Sequence, residues 1–138
     1  MNRIFLSSGV WMVIAMLFLF NPLAANAQQA GAASVESASI CTDVADREAV
    51  NAGTSFAVSI GRLYCFSKIA DIKESSEIVH VWYFGDTERA RVPLGVNPPS
   101  WRTYSSKIIQ PHEIGSWRVD ILDGSANLLH TLEFETTP

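Results

Sequence analysis

The sequence contains few of the residues from which metal sites, cofactor sites and nucleophilic sites are built. Two cysteines and three histidines occur in 138 residues, and there is no C-x-x-C motif and no glycine-rich phosphate loop. His80, His112 and His130 lie too far apart for the i, i+2 or i, i+4 spacing of a metal site. The acidic residues form neither a calcium loop nor a carboxylate pair suited to hydrolysis. We therefore predict no cofactor, no metal and no enzymatic activity.

Basic residues are also scarce. Ten lysines and arginines stand against fourteen aspartates and glutamates, which gives a net charge of −4. This acidic balance argues against nucleic acid and anionic membrane surfaces as partners, because both attract basic proteins. We predict no nucleic-acid partner.

The one long apolar run lies at the N-terminus, where residues 4–23 follow Arg3 and precede Ala25-Asn26-Ala27. A basic start, an apolar stretch and small residues at positions −3 and −1 are typical of a secretory signal peptide. We expect residues 1–27 to be removed, and the protein to be exported to the periplasm of a bacterium with an outer membrane. The alternative is a retained anchor, since the run approaches the ~17–20 residues that span a bilayer. The protein would contact a membrane only in that case.

Cys41 and Cys65 would both remain after this cleavage, in an oxidising compartment. Such a pair often forms a structural disulfide. The alternative is a pair of small buried side chains that never meet, which is common for cysteine in strands. The sequence leaves both interpretations open.

The rest of the chain alternates between short strands and turn signals. Residues 28–39 are small and polar, as in a flexible tether. Residues 40–135 are predicted to form the folded domain, with strands near 40–44, 63–69, 78–84, 89–92, 101–109, 116–122 and 128–134. Turn signals every 8–12 residues favour an all-β fold, a single antiparallel immunoglobulin-like β-sandwich of about seven strands.

The alternation of residue types predicts which side chains point inward. Residues 78–84 are apolar on both faces, as in a central strand. In the last hairpin, Trp117, Val119 and Ile121 should share one face, and Arg118 and Asp120 the other. The same rule predicts one shared face for Leu128, His130, Leu132 and Phe134.

Several segments together resemble a known family. They are HVWYF at 80–84, VPL at 92–94, WRTYSSK at 101–107 and GSWRVD at 115–120, with DRE at 46–48 and GRLYCF at 61–66 upstream. The pattern resembles a bacterial family of domains of unknown function, found on exported and membrane-anchored envelope proteins, often as the C-terminal domain. The resemblance covers about residues 40–135. It implies a compact β domain in the cell envelope and supplies no activity, substrate or catalytic residue.

The most distinctive local feature is a repeated Trp-Arg pair, at 101–102 and at 117–118. One interpretation is a binding face, because arginine grips carboxylates or phosphates and an exposed tryptophan stacks on rings. The other is that Trp82, Trp101 and Trp117 form the core, with arginine stems packed over them and paired to Asp120 or Glu133. The candidate binding residues on the first interpretation are His80, Trp101, Arg102, Lys107 and Arg118.

We therefore expect a non-catalytic periplasmic binding or accessory module, whose partner is an envelope polymer or an envelope protein. Two alternatives remain. One is an envelope-polymer hydrolase that uses His80 or the face shared by Ser105 and Lys107, although no base with a lowered pKa and no oxyanion pocket is visible. The other is an interaction domain that pairs through an edge strand at residues 89–92, before Pro93.

Overall fold

The computed structural model describes residues 33–138. The predicted signal peptide at 1–27 and the first residues of the predicted tether lie outside the described residues. No helix in the described range is long and apolar enough to cross a membrane.

Ten strands contain 72 of the 106 described residues. They are β1 (Ser34–Cys41), β2 (Asp43–Ala45), β3 (Glu48–Val50), β4 (Ser55–Ala57), β5 (Arg62–Ala70), β6 (Ser76–Phe84), β7 (Thr87–Val96), β8 (Trp101–Ile108), β9 (Gly115–Asp123) and β10 (Leu128–Thr137). Within residues 33–138, one 3-10 turn, Val58–Ile60, follows β4.

These strands form two sheets and a separate hairpin. The three-stranded sheet has the order β1-β5-β8, and the five-stranded sheet has the order β4-β10-β9-β6-β7. All pairs are antiparallel except β4 with β10. The two sheets pack face to face, so the predicted all-β sandwich is confirmed, while its assignment to the immunoglobulin type stays a prediction.

Aromatic side chains fill the space between the sheets. Trp82 on β6, Trp117 on β9 and Phe134 on β10 are buried in one hydrophobic cluster. Phe134 stacks on Trp117 at 5.9 Å between ring centroids and meets Trp82 edge-on at 6.2 Å. Each such pair contributes about 0.5–1.5 kcal/mol beyond the burial of its surface. The predicted inward face of β9 is confirmed, since Val119 and Ile121 are also buried.

The predicted face of β10 is wrong at its first residue. The pairing of β10 with β9 shifts register between Leu128 and His130. This irregularity places Leu128 opposite Leu122, on the other face from Phe134, and leaves it exposed. A bulge of one residue exchanges the two faces of a strand, and strict alternation in the sequence does not reveal it.

The folded part begins earlier than predicted. β1 begins at Ser34, so much of the segment expected to be a tether is a strand paired with β5. Val35 and Ala38 on this strand pack against the second hydrophobic cluster, which contains Ile69 and Ile78. Small residues suffice there because backbone hydrogen bonds with β5 hold the strand, and such bonds need no large side chain.

Residues 43–50 form a hairpin, of which only residues 43 and 44 fall within a predicted strand, the one at 40–44. β2 and β3 pair around a two-residue turn, Asp46-Arg47, in which both residues have positive φ. This is the geometry of a type I′ hairpin turn, which usually carries Asn-Gly or Asp-Gly. Because arginine replaces the expected glycine, the turn has no recognisable sequence signal. The hairpin contacts the outer face of the three-stranded sheet.

The candidate disulfide between Cys41 and Cys65 is absent, and both thiols are free and buried. Cys65 lies opposite Ile40 in the β1–β5 pairing, whereas Cys41 lies opposite Tyr64. Adjacent pairs in a ladder point to opposite faces of the sheet, so the two thiols face away from each other. Burial raises the pKa of both thiols, which keeps them protonated and unreactive. The alternative of two buried cysteines that never meet is the one found.

The predicted edge strand at 89–92 belongs to β7, which pairs with β6 alone and forms an edge of the five-stranded sheet. The strand continues through Pro93 to Val96 instead of ending at the proline. An edge strand tolerates proline because its outward N–H has no partner in the sheet.

One carboxylate of the described chain is fully buried. Glu113, in the loop between β8 and β9, accepts a hydrogen bond at 2.9 Å from the backbone N–H of Gln110. Its other oxygen, Oε2, makes no directed hydrogen bond and lies 3.0 Å from the guanidinium of Arg89 on β7. Arg89 therefore supplies the charge that compensates this buried group, and the pair joins the loop to the sheet edge.

Candidate functional site

The histidine predicted to contact a ligand lies in the core. His80 points inward from β6 and has no exposed surface. Its Nε2 lies 3.0 Å from Ser67 Oγ on β5, and its Nδ1 lies 2.7 Å from Ser105 Oγ on β8. Trp82 also donates its indole N–H to Ser105, at 3.0 Å. The network links the two sheets, and His80 is therefore unavailable as a surface contact.

Burial sets the protonation state of His80. Desolvation lowers its pKa from the ordinary value of 6.5 to about 4, because the interior disfavours the charged imidazolium. The neutral ring has one donor and one acceptor nitrogen, and each has a serine partner. This arrangement connects the sheets through polar groups that are all paired.

The residues proposed for a hydrolase do not form a solvent-accessible site. Ser105 is only 4% exposed, and its hydroxyl oxygen lies within hydrogen-bond distance of His80 and Trp82. Lys107 shares the face of Ser105, but it donates to the backbone carbonyl of Ile108 at 2.8 Å. Neither group lines the two clefts described below.

The two Trp-Arg pairs lie on different sheets. Arg102 stands opposite Lys68 on the outer face of the three-stranded sheet, and Arg118 stands opposite Tyr83 on the outer face of the five-stranded sheet. The two arginines therefore point away from each other, on opposite sides of the sandwich. They do not combine into one basic patch.

Charges of opposite sign surround Arg118. Its guanidinium carbon lies 4.0 Å from the centroid of the Tyr83 ring, and carboxylate oxygens of Asp120 and Asp86 lie at 3.6 and 3.8 Å. A shallow cleft of about 530 Å³ adjoins it, with Trp117 in its lining. Asp86 and two further carboxylates, those of Glu133 and Glu135, line the same cleft. Arg118 is thus neutralised by its neighbours, as the second interpretation of the Trp-Arg pairs predicts.

Arg102 lies in a groove that combines cations and aromatic rings. We call it the Arg102 groove, and it has a volume of about 240 Å³. It lies between the β2–β3 hairpin and the outer face of the three-stranded sheet. Its lining consists of Val44, Arg47, Phe66, Arg102, Thr103 and Tyr104.

Two aromatic side chains give the groove its apolar surface. Phe66 on β5 is buried, and Tyr104 lies directly opposite it on β8 with 51% of its surface exposed. The ring of Tyr104 meets that of Tyr64 edge-on, at 5.9 Å between centroids. This contact with a neighbouring strand restrains an otherwise exposed ring.

Two arginines line the groove from opposite sides. Arg102 extends from β8, and its Nη1 lies 3.3 Å from a carboxylate oxygen of Glu48 on β3. Arg47 occupies the second position of the hairpin turn, with a φ of 63°. A side chain rarely adopts this left-handed conformation, which costs roughly 1–2 kcal/mol in an L-residue. Residues in this conformation often lie at functional positions, which makes Arg47 a candidate contact residue.

The remaining predicted contact residue, Trp101, is not in the groove. Alternation along β8 places Arg102 and Tyr104 on the outer face, and Trp101 and Lys107 on the inner one. Trp101 is 37% exposed at the start of the strand, so it does not join Trp82 and Trp117 in the core. Of the five candidate binding residues, only Arg102 lines the groove.

Sequence reasoning missed Arg47, Phe66 and Tyr104. Tyr104 follows two residues after Arg102, so strand alternation alone places both on one face. Placing Phe66 in the groove requires knowledge that β5 pairs with β8. Placing Arg47 there requires knowledge of a hairpin whose turn has no signal in the sequence. The groove is therefore a product of long-range pairing.

Residues 75–136 match the model of a family described as a protein of unknown function, DUF2914. The match runs from β6 to β10 and includes Arg102 and Tyr104, but not the β2–β3 hairpin. No curated protein matches the chain.

Among the described residues, no group of three or more His, Cys, Asp or Glu side chains is arranged to hold a metal ion.

Proposed function

We propose that this protein is a non-catalytic binding module, which holds a component of the bacterial cell envelope in the Arg102 groove. The observation that carries the proposal is the combination of a partly exposed arginine and an exposed tyrosine on one face of one strand. Guanidinium groups bind carboxylates and phosphates, and aromatic faces bind sugar rings and other planar groups.

The position of the groove on the fold favours binding. Arg102 and Tyr104 extend from β8, whose backbone pairs with β5 along its whole length. Side chains on a strand are held more precisely than those on a loop, so less entropy is lost when a ligand binds. Tyr104 provides the aromatic surface that a ligand ring would cover, and the buried Phe66 supports it from the directly opposite position on β5.

The arrangement of the other candidates favours binding over hydrolysis. The histidine and serine named for a hydrolase are occupied in the core, and their network lacks a carboxylate that would raise the basicity of the imidazole. The envelope location rests on the signal-peptide pattern and on the family resemblance of the sequence. The export of the chain is part of the proposal.

The test is co-sedimentation of the purified protein with isolated cell-wall sacculi and with outer-membrane vesicles. Arg102→Ala, checked for folding by circular dichroism, should abolish retention, because it removes the cation at the centre of the groove. Arg118→Ala is the matched control, since it removes the same charge from the opposite face. Retention lost in Arg118→Ala and kept in Arg102→Ala would overturn the placement, and no retention of the wild type would overturn the envelope role.

Pairing through an edge strand remains the second candidate, because β7 lies at the edge of the five-stranded sheet. Three features of β7 resist strand addition: Pro93, the register shift opposite Trp82 and Tyr83, and the charged pair Glu88–Arg91 at 2.7 Å. A proline placed within residues 89–92 would abolish capture of a partner protein if this strand were the interface. Neither arginine variant should then have any effect.

A further inference from the structure

We infer that the Arg102 groove recognises an anionic group attached to a ring, and that Glu48 occupies the position of the anion when no ligand is bound. This inference rests on the proposed function and specifies the ligand class. The anion is a carboxylate or a phosphate, the two groups that arginine binds through parallel hydrogen bonds.

Glu48 is placed to imitate a ligand. Its carboxylate comes from the β2–β3 hairpin and meets Arg102 through a single contact of 3.3 Å. In the described part of the chain, no other acceptor engages the guanidinium, so most of its five N–H donors have no protein partner. A ligand carboxylate or phosphate would accept hydrogen bonds from two of these donors at once, whereas Glu48 contacts only one guanidinium nitrogen.

The contact between Glu48 and Arg102 is weak enough to be exchanged. The side chain of Glu48 is 64% exposed and that of Arg102 is 35% exposed. Ion pairs in water contribute little, because solvent screens the charges and both side chains lose conformational freedom. A bidentate ligand anion therefore replaces Glu48 at small cost, and the hairpin can remain in place.

Arg47 provides a second positive charge for the same anion. It forms no ion pair within the described residues and lines the groove opposite Arg102. One cation is thus paired within the protein and the other is left for a ligand. The hairpin turn places Arg47 in the lining of the groove, within reach of a bound anion.

The aromatic side of the groove selects for a ring. Tyr104 exposes half of its surface, and Tyr64 supports its ring from the neighbouring strand. A ring attached to the bound anion would lie against Tyr104 and above Phe66. An anion without a ring would gain only the contacts with arginine and should bind more weakly.

The experiment is calorimetric titration of the full chain at about 0.15 M salt, where long-range charge effects are screened. The probes are benzoate and phenyl phosphate, with inorganic phosphate and phenol as partial ligands. We expect saturable binding of at least one of the first two and weaker binding of both partial ligands. Arg102→Ala should weaken binding roughly tenfold or more, the effect of losing hydrogen bonds to a charged group.

The decisive variant is Glu48→Gln, which should tighten binding about two- to fivefold, because an exposed ion pair of this kind no longer competes. Glu36→Gln is its matched control. Glu36 pairs with Lys68 at 3.1 Å, and Lys68 lies directly opposite Arg102 on the same face of the sheet. Equal tightening in both variants would show a general charge effect and overturn the displacement of Glu48.

The outcomes separate this inference from the proposed function. If the folded wild type binds neither benzoate nor phenyl phosphate but is retained on envelope material through Arg102, the ligand class is wrong and the proposed function stands. If the probes bind and Glu48→Gln tightens them without any retention on sacculi or vesicles, the envelope role is wrong and the ligand class stands. Preference for one probe over the other distinguishes a carboxylate ligand from a phosphate.

Discussion

At the scale of single residues, the clearest property of this protein is the neutral histidine at its centre. His80 has hydrogen-bond partners on both nitrogens, but no carboxylate that would favour its charged form. Its pKa is lowered by burial alone. The free energy of unfolding therefore depends on pH through His80, although this residue has no exposed surface.

This predicts a loss of stability in acid. Between pH 6.5 and about pH 4, the unfolded chain binds a proton at His80 that the folded chain does not. The neutral ring makes its full contribution to the free energy of unfolding above pH 6.5, and this contribution is lost as the pH falls from 6.5 to about 4. The loss amounts to about 3 kcal/mol. Urea unfolding at a series of pH values measures it.

The control for this prediction is His80→Gln, which keeps polar atoms in place but does not titrate. The variant should be less stable at neutral pH, and its free energy of unfolding should fall less between pH 6.5 and pH 4. An identical decrease in both proteins would show that carboxylates, and not His80, determine the acid sensitivity.

At the scale of elements, the hairpin turn at Asp46-Arg47 accepts strain that glycine would avoid. Arg47→Gly should leave the free energy of unfolding within about 1 kcal/mol of wild type, because relief of the positive φ offsets the greater freedom of the unfolded chain. The same change should weaken binding of phenyl phosphate, since it removes one cation of the Arg102 groove.

Asp46→Gly is the matched control, because it relieves the other left-handed residue of the turn and retains Arg47. Its binding should equal that of the wild type. A loss of stability well above 1 kcal/mol in Arg47→Gly would mean that the side chain supports the fold, and the functional explanation of the strain would fail.

The loop between β8 and β9 depends on the buried carboxylate of Glu113. Arg89→Ala should lower the free energy of unfolding by about 3 kcal/mol, because it leaves that carboxylate without a counter-ion. Arg91→Ala, two residues along the same strand, removes the cation of an exposed pair and should cost under about 1 kcal/mol. Chemical denaturation of both variants gives the comparison, and similar losses would show that Glu113 is compensated by other groups.

Elements with local signals were predictable from the sequence, and those that depend on distant partners were not. Alternation located β5, β6, β8 and β9 to within about two residues, because a half-buried strand requires it. Most of β1 was missed, because residues 34–39 contain only one large apolar side chain, Val35, and their order comes from pairing with the backbone of β5. Arg102 and Arg118 have the same local sequence, yet the topology places them on opposite sheets. The groove could not be predicted for the same reason, because Phe66, Arg47 and Tyr104 come from three separate segments.

At the scale of the whole molecule, the two cysteines report on the integrity of the sandwich. Cys65 lies between the two sheets, and Cys41 lies on the other face of the three-stranded sheet. Both are buried and free, and burial raises the pKa of both thiols. Their reaction with an alkylating reagent therefore requires the protein to open.

We expect the native protein, without reductant, to resist iodoacetamide at both positions, and the denatured protein to take up two groups. Mass spectrometry after quenching counts the modifications. A denatured sample that gains no mass until it is reduced would contradict the free thiols, because it would mean that a disulfide had formed. Rapid labelling of Cys41 alone in the native state would show that the β2–β3 hairpin lifts from the sheet independently.

The two sides of the Arg102 groove come from different segments of the chain, and this affects how ligand specificity would evolve. Arg102 and Tyr104, on the β8 side of the groove, lie within the segment that matches DUF2914. Arg47 and Glu48, on the hairpin side, precede that segment in the chain. Relatives that share only the matched segment would keep Arg102 and Tyr104. In these relatives, a different sequence would form the side of the groove that the β2–β3 hairpin forms here. Ligand preference would then change through insertions and substitutions in one short hairpin, while the sandwich that holds Arg102 and Tyr104 stayed the same.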